Sequence, residues 1–322
     1  MHRIAHLLGR HSHDPAGTVG AAMEGPADGM RALWISVAGL GITAALQGTV
    51  VALSGSVGLL SDAVHNGADA MTAVPLAIAF VLGRRAPARG YTYGYGRAED
   101  LAGVAIVIVI ALSSAVTAWA AVTRLLHPHH VPDLLAVGAA AVAGFAGNEL
   151  VARYRIRVGT RIGSAALVAD GMHARADSFV SLAVLAGAGG AALGQGWADP
   201  VAGLLIAVAI AMMLRRAAGE VLRRLMDAVD PALVDTARET LAGVPGVRGV
   251  GQVRLRWTGH RLRAECEVTV DAAWTVVQAH EVAAEAEHAL LHAIPRLTAV
   301  LVHPDPGPED GVDHHRVLAG HR

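Results

Sequence analysis

Lysine is absent from this chain; all 26 basic residues are arginine. Cysteine occurs once, at Cys266, aromatic residues make up 4% and charged residues 16%. One cysteine excludes an internal disulfide and a cysteine-rich zinc ribbon. A formal net charge of -1 provides no global field that would recruit nucleic acid. There is no Walker-type phosphate loop to make ATP an energy source, and no H-E-x-x-H pair for a metallopeptidase. Residues 1–30 hold His, Asp, Pro and Gly but no apolar core of the kind a cleaved signal peptide carries. What fills the chain instead is apolar: 53% of its 322 residues are hydrophobic, too many for an ordinary soluble domain so poor in charge.

Apolar runs long enough to cross a bilayer, at about 20 residues each, recur at 32–54, 57–83, 100–125, 132–152, 164–193 and 197–214. The second and fifth carry polar residues near their starts, and Asp199-Pro200 reads as the start of the sixth. Arg84, Arg85, Arg89 and Arg97 lie between spans two and three, Arg153, Arg155, Arg157 and Arg161 between four and five, and Arg215, Arg216, Arg223 and Arg224 after six. Arg3, Arg10 and Arg31 precede span one, and the opposite side holds only Arg124. The positive-inside rule then predicts a multi-pass cell-membrane protein with both termini cytoplasmic. An even number of spans requires the same.

After about residue 218 the composition changes. PALVDTARETLAGV reads as an amphipathic helix, VGQVRLRW and RLRAECEVTV as a hairpin turning at Thr258-Gly259, VVQAHEVAAEAEHALLHAI as a second helix and LTAVLVHPD as a last strand. The expected fold is a membrane all-α six-helix transmembrane bundle followed by a C-terminal cytoplasmic α+β domain of αββαβ, ferredoxin-like order. The expected boundaries are a flexible cytoplasmic tail at 1–30, the transport domain at 31–217, the soluble domain at 218–306 and a flexible His-containing tail at 307–322.

Polar residues inside apolar spans carry the chemistry. Span two contains DAVHNGAD and span five DGMHARAD, so D-x-x-H-x-x-x-D occurs twice: Asp62, His65, Asp69 and Asp170, His173, Asp177. Offsets of 3, 4 and 7 put each set on one helical face. A charge in hydrocarbon costs at least about 2.5–3.5 kcal/mol, so the two stripes are expected to face the bundle interior and one another. Two imidazoles and two carboxylates from two helices form a tetrahedral N/O donor set that suits a divalent metal, zinc above all. Asp62 and Asp170, one turn before the histidines, are read as lining the way in or orienting a histidine, with direct ligation left open. Asn66, turned off the His65 face, is read as packing or support. The histidines near both ends and after span three, and His260 beside the hairpin turn, are read as solvated.

At these residues the chain resembles the cation diffusion facilitator family of divalent-metal/proton antiporters, over roughly 31–305. YGYGRAEDLAG, after span two, is similar to that family's G-H-G-[KR]-x-E segment. The resemblance implies a transport site of His65, Asp69, His173 and Asp177, zinc as transported substrate and possible regulator, exchange with protons by alternating access, and a homodimer. Iron(II), cadmium, cobalt and manganese stay open as substrates. Tyr95 stands where some members carry a histidine, which removes a second loop site. Glu267, His280, His303 and Asp305 match a metal site of the family's soluble domain, with Gly251 in place of one histidine. The alternatives are a proton-coupled carrier of an organic solute, which needs no matched ligand set, and a membrane metalloenzyme, which four protein ligands would leave without an open position for water.

Overall fold

The structure is a computed structural model that describes residues 15–54, 73–126, 134–195, 198–307, 314 and 316–318. Its helices and strands are, in chain order, α1 (Pro15–Ser54), α2 (Ala73–Gly83), α3 (Arg97–Leu126), α4 (Leu134–Ile162), α5 (Ala165–Ala192), α6 (Ala198–Leu225), α7 (Pro231–Ala242), β1 (Gly249–Thr258), β2 (Arg261–Val270), α8 (Val276–Ala293) and β3 (Leu297–Pro306). They form two compact units. One holds Gly25–Asp230 together with the hairpin tip Leu255–Arg261; the other holds Pro231–Arg254 and the chain from Leu262.

In the helical unit, Ala32 and Leu33 of α1, Leu76 and Phe80 of α2, Ile106 and Ile110 of α3, Val158 of α4, Leu167 of α5 and Val221 of α6 form one buried cluster. Large apolar side chains also point outward, among them Trp34, Leu46, Leu112, Trp119, Leu204 and Leu205. An apolar exterior of this extent fits hydrocarbon rather than water. Three described helices are long and apolar enough to cross a membrane, at Ala27–Thr49, Arg97–Val116 and Val201–Leu225. The stretches expected as spans four and five are helical over 134–152 and 165–192.

Two expectations change here. Helix begins at Pro15, well inside the stretch expected as a flexible tail. Proline is tolerated in a first helical turn, so Pro15 itself is no obstacle to a helix start there. The arginines Arg153, Arg155, Arg157 and Arg161 belong to α4 itself rather than to a loop. At 29 residues and 1.5 Å per residue, α4 is about 43 Å long, longer than a bilayer core of about 30 Å.

The turn between α4 and α5 is two residues long and its chemistry is local. Gly163 takes a left-handed φ of 76°, and the Ser164 N–H donates to the Gly159 carbonyl at 2.9 Å. This is a glycine stop closed by a six-to-one bond. Ser164 Oγ then accepts from the Leu167 N–H at 3.1 Å, capping α5. R-I-G-S-A-A-L therefore encodes an antiparallel helix pair.

In the second unit the expected αββαβ order is present. The sheet order is β1-β2-β3, with β2 and β3 parallel. The hairpin turns at Gly259, whose φ of 63° favours a residue without Cβ. α8 starts with a reciprocal Thr275/Gln278 capping box. Cys266 is buried in β2, and burial, aided by Glu265, pushes its thiol up to about 11. It acts as a small apolar residue.

Candidate metal-transport site

α5 carries the second polar stripe into the bundle. Asp170, His173 and Asp177 are 0%, 2% and 6% exposed. His173 Nδ1 and Asp177 Oδ2 lie 3.7 Å apart, one helical turn from each other. Imidazole and carboxylate thus share one face, as their spacing requires. The stripe on span two, with Asp62, His65, Asp69 and Asn66, lies outside the described residues. Among the described residues no group of three or more His, Cys, Asp or Glu side chains is gathered as a metal site.

The surroundings of the α5 stripe are polar and tightly packed. On α4, Glu149 accepts from Arg153 Nε at 2.7 Å. It also accepts two bonds from Arg175 of α5, each at 3.2 Å, and one from Ser178 Oγ at 3.4 Å. Thr43, Gln47, Asn148 and Ser181 are buried. Gly144 and Gly147 of α4 have no room for a side chain; a Cβ would come within 2.8 Å of Ser181 Oγ and 2.1 Å of Thr43 Oγ1. Small residues at such contacts let helices approach closely enough for polar groups to meet.

Asp170 meets a residue that the sequence reading counted as a loop charge. Arg155 Nη1 lies 2.9 Å from Asp170 Oδ2, with both side chains fully buried. A signal for this pair exists: Arg155 is eight residues before Gly163 and Asp170 seven after it. A two-residue turn brings positions at similar distances on either side of it into neighbouring turns of an antiparallel pair.

A second cluster was missed. His260, expected to be solvated, is buried, and its Nδ1 sits 2.9 Å from Glu99 Oε2. Glu99 and Asp100, the acids of YGYGRAED, are both buried. The Gly259 N–H donates to Asp100 Oδ2 at 3.4 Å. Arg224 stacks on Trp257, 4.5 Å from the ring centroid, and donates to the Gly163 and Gly259 carbonyls at 2.6 and 3.3 Å. Arg97 pairs with Asp227 and, at 3.5 Å, with Asp100. The correction has a backbone cause. Gly96 and Gly259 approach so closely that a Cβ at Gly259 would lie 2.7 Å from the Gly96 carbonyl oxygen, and this close contact carries His260 onto Glu99.

In the α+β unit the expected ligands form no group of three or more among the described residues. Glu267 and His303 are register partners on β2 and β3, as are Thr269 and Asp305. Glu267 accepts from the Gln252 N–H at 3.3 Å. His280 on α8 and His303 are exposed. In the position of the missing histidine, Gly251 faces Glu267, whose Oε2 would lie 3.1 Å from a Cβ there.

These features describe a multi-pass membrane protein with a small α+β domain after its helices. Comparison with known proteins makes the class specific. Residues 33–226 match the family described as cation efflux transmembrane domain, and residues 229–307 match the cation efflux protein cytoplasmic domain. A probable cation efflux system protein of Mycobacterium tuberculosis (strain H37Rv) is 53% identical over 303 residues, covering 94% of this chain and 91% of that one. The manganese efflux system protein MneP of Bacillus subtilis is 24% identical, over 76% of this chain and 84% of its own. Metal tolerance protein C1 of Arabidopsis thaliana is 27% identical, over 76% of this chain and 55% of that one. The chain belongs to the cation efflux family of membrane transporters, and its activity is divalent metal cation efflux.

Proposed function

We propose that this protein exports zinc in exchange for protons, using His65, Asp69, His173 and Asp177 as one site exposed alternately to the two sides of the membrane. The observation that carries the reading is the buried α5 pair, His173 and Asp177, on one face with Nδ1 and Oδ2 3.7 Å apart. Two imidazoles and two carboxylates are a borderline donor set suited to zinc, whereas an oxygen-rich set suits manganese. Binding requires neutral imidazole and ionised carboxylate, so loading releases protons and protonation favours unloading. Both termini are cytoplasmic, which follows from the arginine distribution. The chain acts as a homodimer in this reading, and the soluble domain, with Glu267, His280, His303 and Asp305, senses metal. Its divalent cation is cargo, and no enzymatic step is assigned.

The test is flux into sealed proteoliposomes with an imposed pH gradient, measured metal by metal. Zinc uptake is expected to rise with the gradient, and His173→Ala or Asp177→Ala to reduce it at least 100-fold. Zinc flux that survives both substitutions would remove the site. Manganese flux exceeding zinc flux would make manganese the cargo.

A further inference from the structure

The two D-x-x-H-x-x-x-D stripes read alike in sequence, and each offers two carboxylates and one imidazole on one face. On α5 one of those carboxylates is already engaged. Asp170 Oδ2 is 2.9 Å from Arg155 Nη1, and neither side chain reaches solvent. Arg155 Nε and Nη2 are also buried, with no hydrogen-bond partner among the described residues. A guanidinium is always charged, and moving it out of water costs several kcal/mol unless a counter-charge stays beside it. Asp170 is that counter-charge.

The backbone is built to keep the pair together. At Gly171 a Cβ would lie 2.7 Å from Ile156 Cγ1, 2.9 Å from the Ile156 nitrogen and 3.0 Å from Arg155 Cβ. At Gly159 it would lie 2.9 Å from the Val168 nitrogen. These glycines bring α4 and α5 close enough for a short aspartate to reach an arginine across the helix interface. Asp170 stands three residues from His173 and seven from Asp177, so it lies on the face that carries the transport pair.

We infer that Arg155 is a specificity-determining residue: by holding Asp170 it limits α5 to one imidazole and one carboxylate, His173 and Asp177, for the transported cation. The inference rests on the reading of that pair as metal ligands. It answers how a stripe with two aspartates presents a zinc-like rather than an oxygen-rich donor set. Freed from Arg155, Asp170 adds carboxylate oxygens and favours a cation that prefers more oxygen ligands, such as manganese. Arg155 touches no cargo; it acts through Asp170.

The test uses the purified full-length chain and measures equilibrium binding of zinc and of manganese, alongside flux in vesicles. Arg155→Gln is expected to shift the zinc-to-manganese affinity ratio at least tenfold toward manganese. The neutral pair Arg155→Gln/Asp170→Asn is expected to keep the wild-type ratio within about twofold, because Asp170 is not a ligand in the native protein. The inference is overturned if Arg155→Gln leaves the ratio unchanged, or if the neutral pair changes it. Should Arg155→Gln alone fail to fold, the neutral pair still decides: a shifted ratio there makes Asp170 a native ligand. His173→Ala and Asp177→Ala separate this inference from the reading beneath it. If they leave binding intact, the transport site is wrong. If they abolish binding while the Arg155 variants hold the wild-type ratio, only the role of Arg155 is wrong.

Discussion

The two units treat their ionisable residues in opposite ways. In the helical unit Asp170, His173, Asp177, Arg155, Glu99 and Asp100 are all buried, and the surroundings of most are specified atom by atom. In the α+β unit His280 and His303 stand in solvent, and Glu267 and Asp305 are half-buried. Burial of charge is expensive, so a buried ionisable group has to be held by something, and its surroundings report what it does. A solvated histidine costs nothing to keep, and its position says little. The sequence motif in the membrane part therefore carries more functional weight than the matched positions in the soluble part.

That contrast can be broken by substitution. The largest effect is expected at Arg155. Arg155→Ala leaves Asp170 buried beside a cavity and should cost about 3–5 kcal/mol, read from denaturant or thermal unfolding of the detergent-purified chain. Replacing both members by neutral residues should recover most of it. A stability unchanged by Arg155→Ala would mean that water reaches the pair. Next comes helix packing: Gly171→Ala forces a methyl against the Ile156 backbone and should cost about 1–3 kcal/mol, whereas Gly189→Ala, with open space around it, should not destabilise.

His260→Ala removes the partner of buried Glu99 and should lower stability by about 1–3 kcal/mol. No loss at this position would return His260 to the solvated class in which its sequence context had put it. The smallest effects are expected in the α+β unit. His280→Ala and His303→Ala should each stay within about 0.5 kcal/mol of wild type in metal-free protein. A larger loss at either would show that this unit, too, holds its histidines in place.

Much of the architecture was legible. Thr258-Gly259 announces a hairpin turn by local chemistry, and the αββαβ order follows from periodicity, while the stop at Gly163-Ser164 and the Thr275/Gln278 cap were recognised only in the structure. His173 and Asp177 were legible because charges within an apolar helix must face inward. Arg155 was legible only through its spacing from the Gly163 turn, since an arginine near the end of an apolar run otherwise looks the same whether it points to solvent or to a buried aspartate. His260 failed for a similar reason: a residue beside a tight turn is usually exposed, and only the approach of Gly96 to Gly259 buries it.

The sequence by itself determined the class of protein and the polar stripe that α5 carries on one buried face, because hydrophobic periodicity and the cost of charge in hydrocarbon act along a single helix. That Asp170 of this stripe lies against Arg155 was decided only by the tertiary structure. That contact depends on how closely two helices approach, and the distance is set by glycines whose partners lie on the other helix.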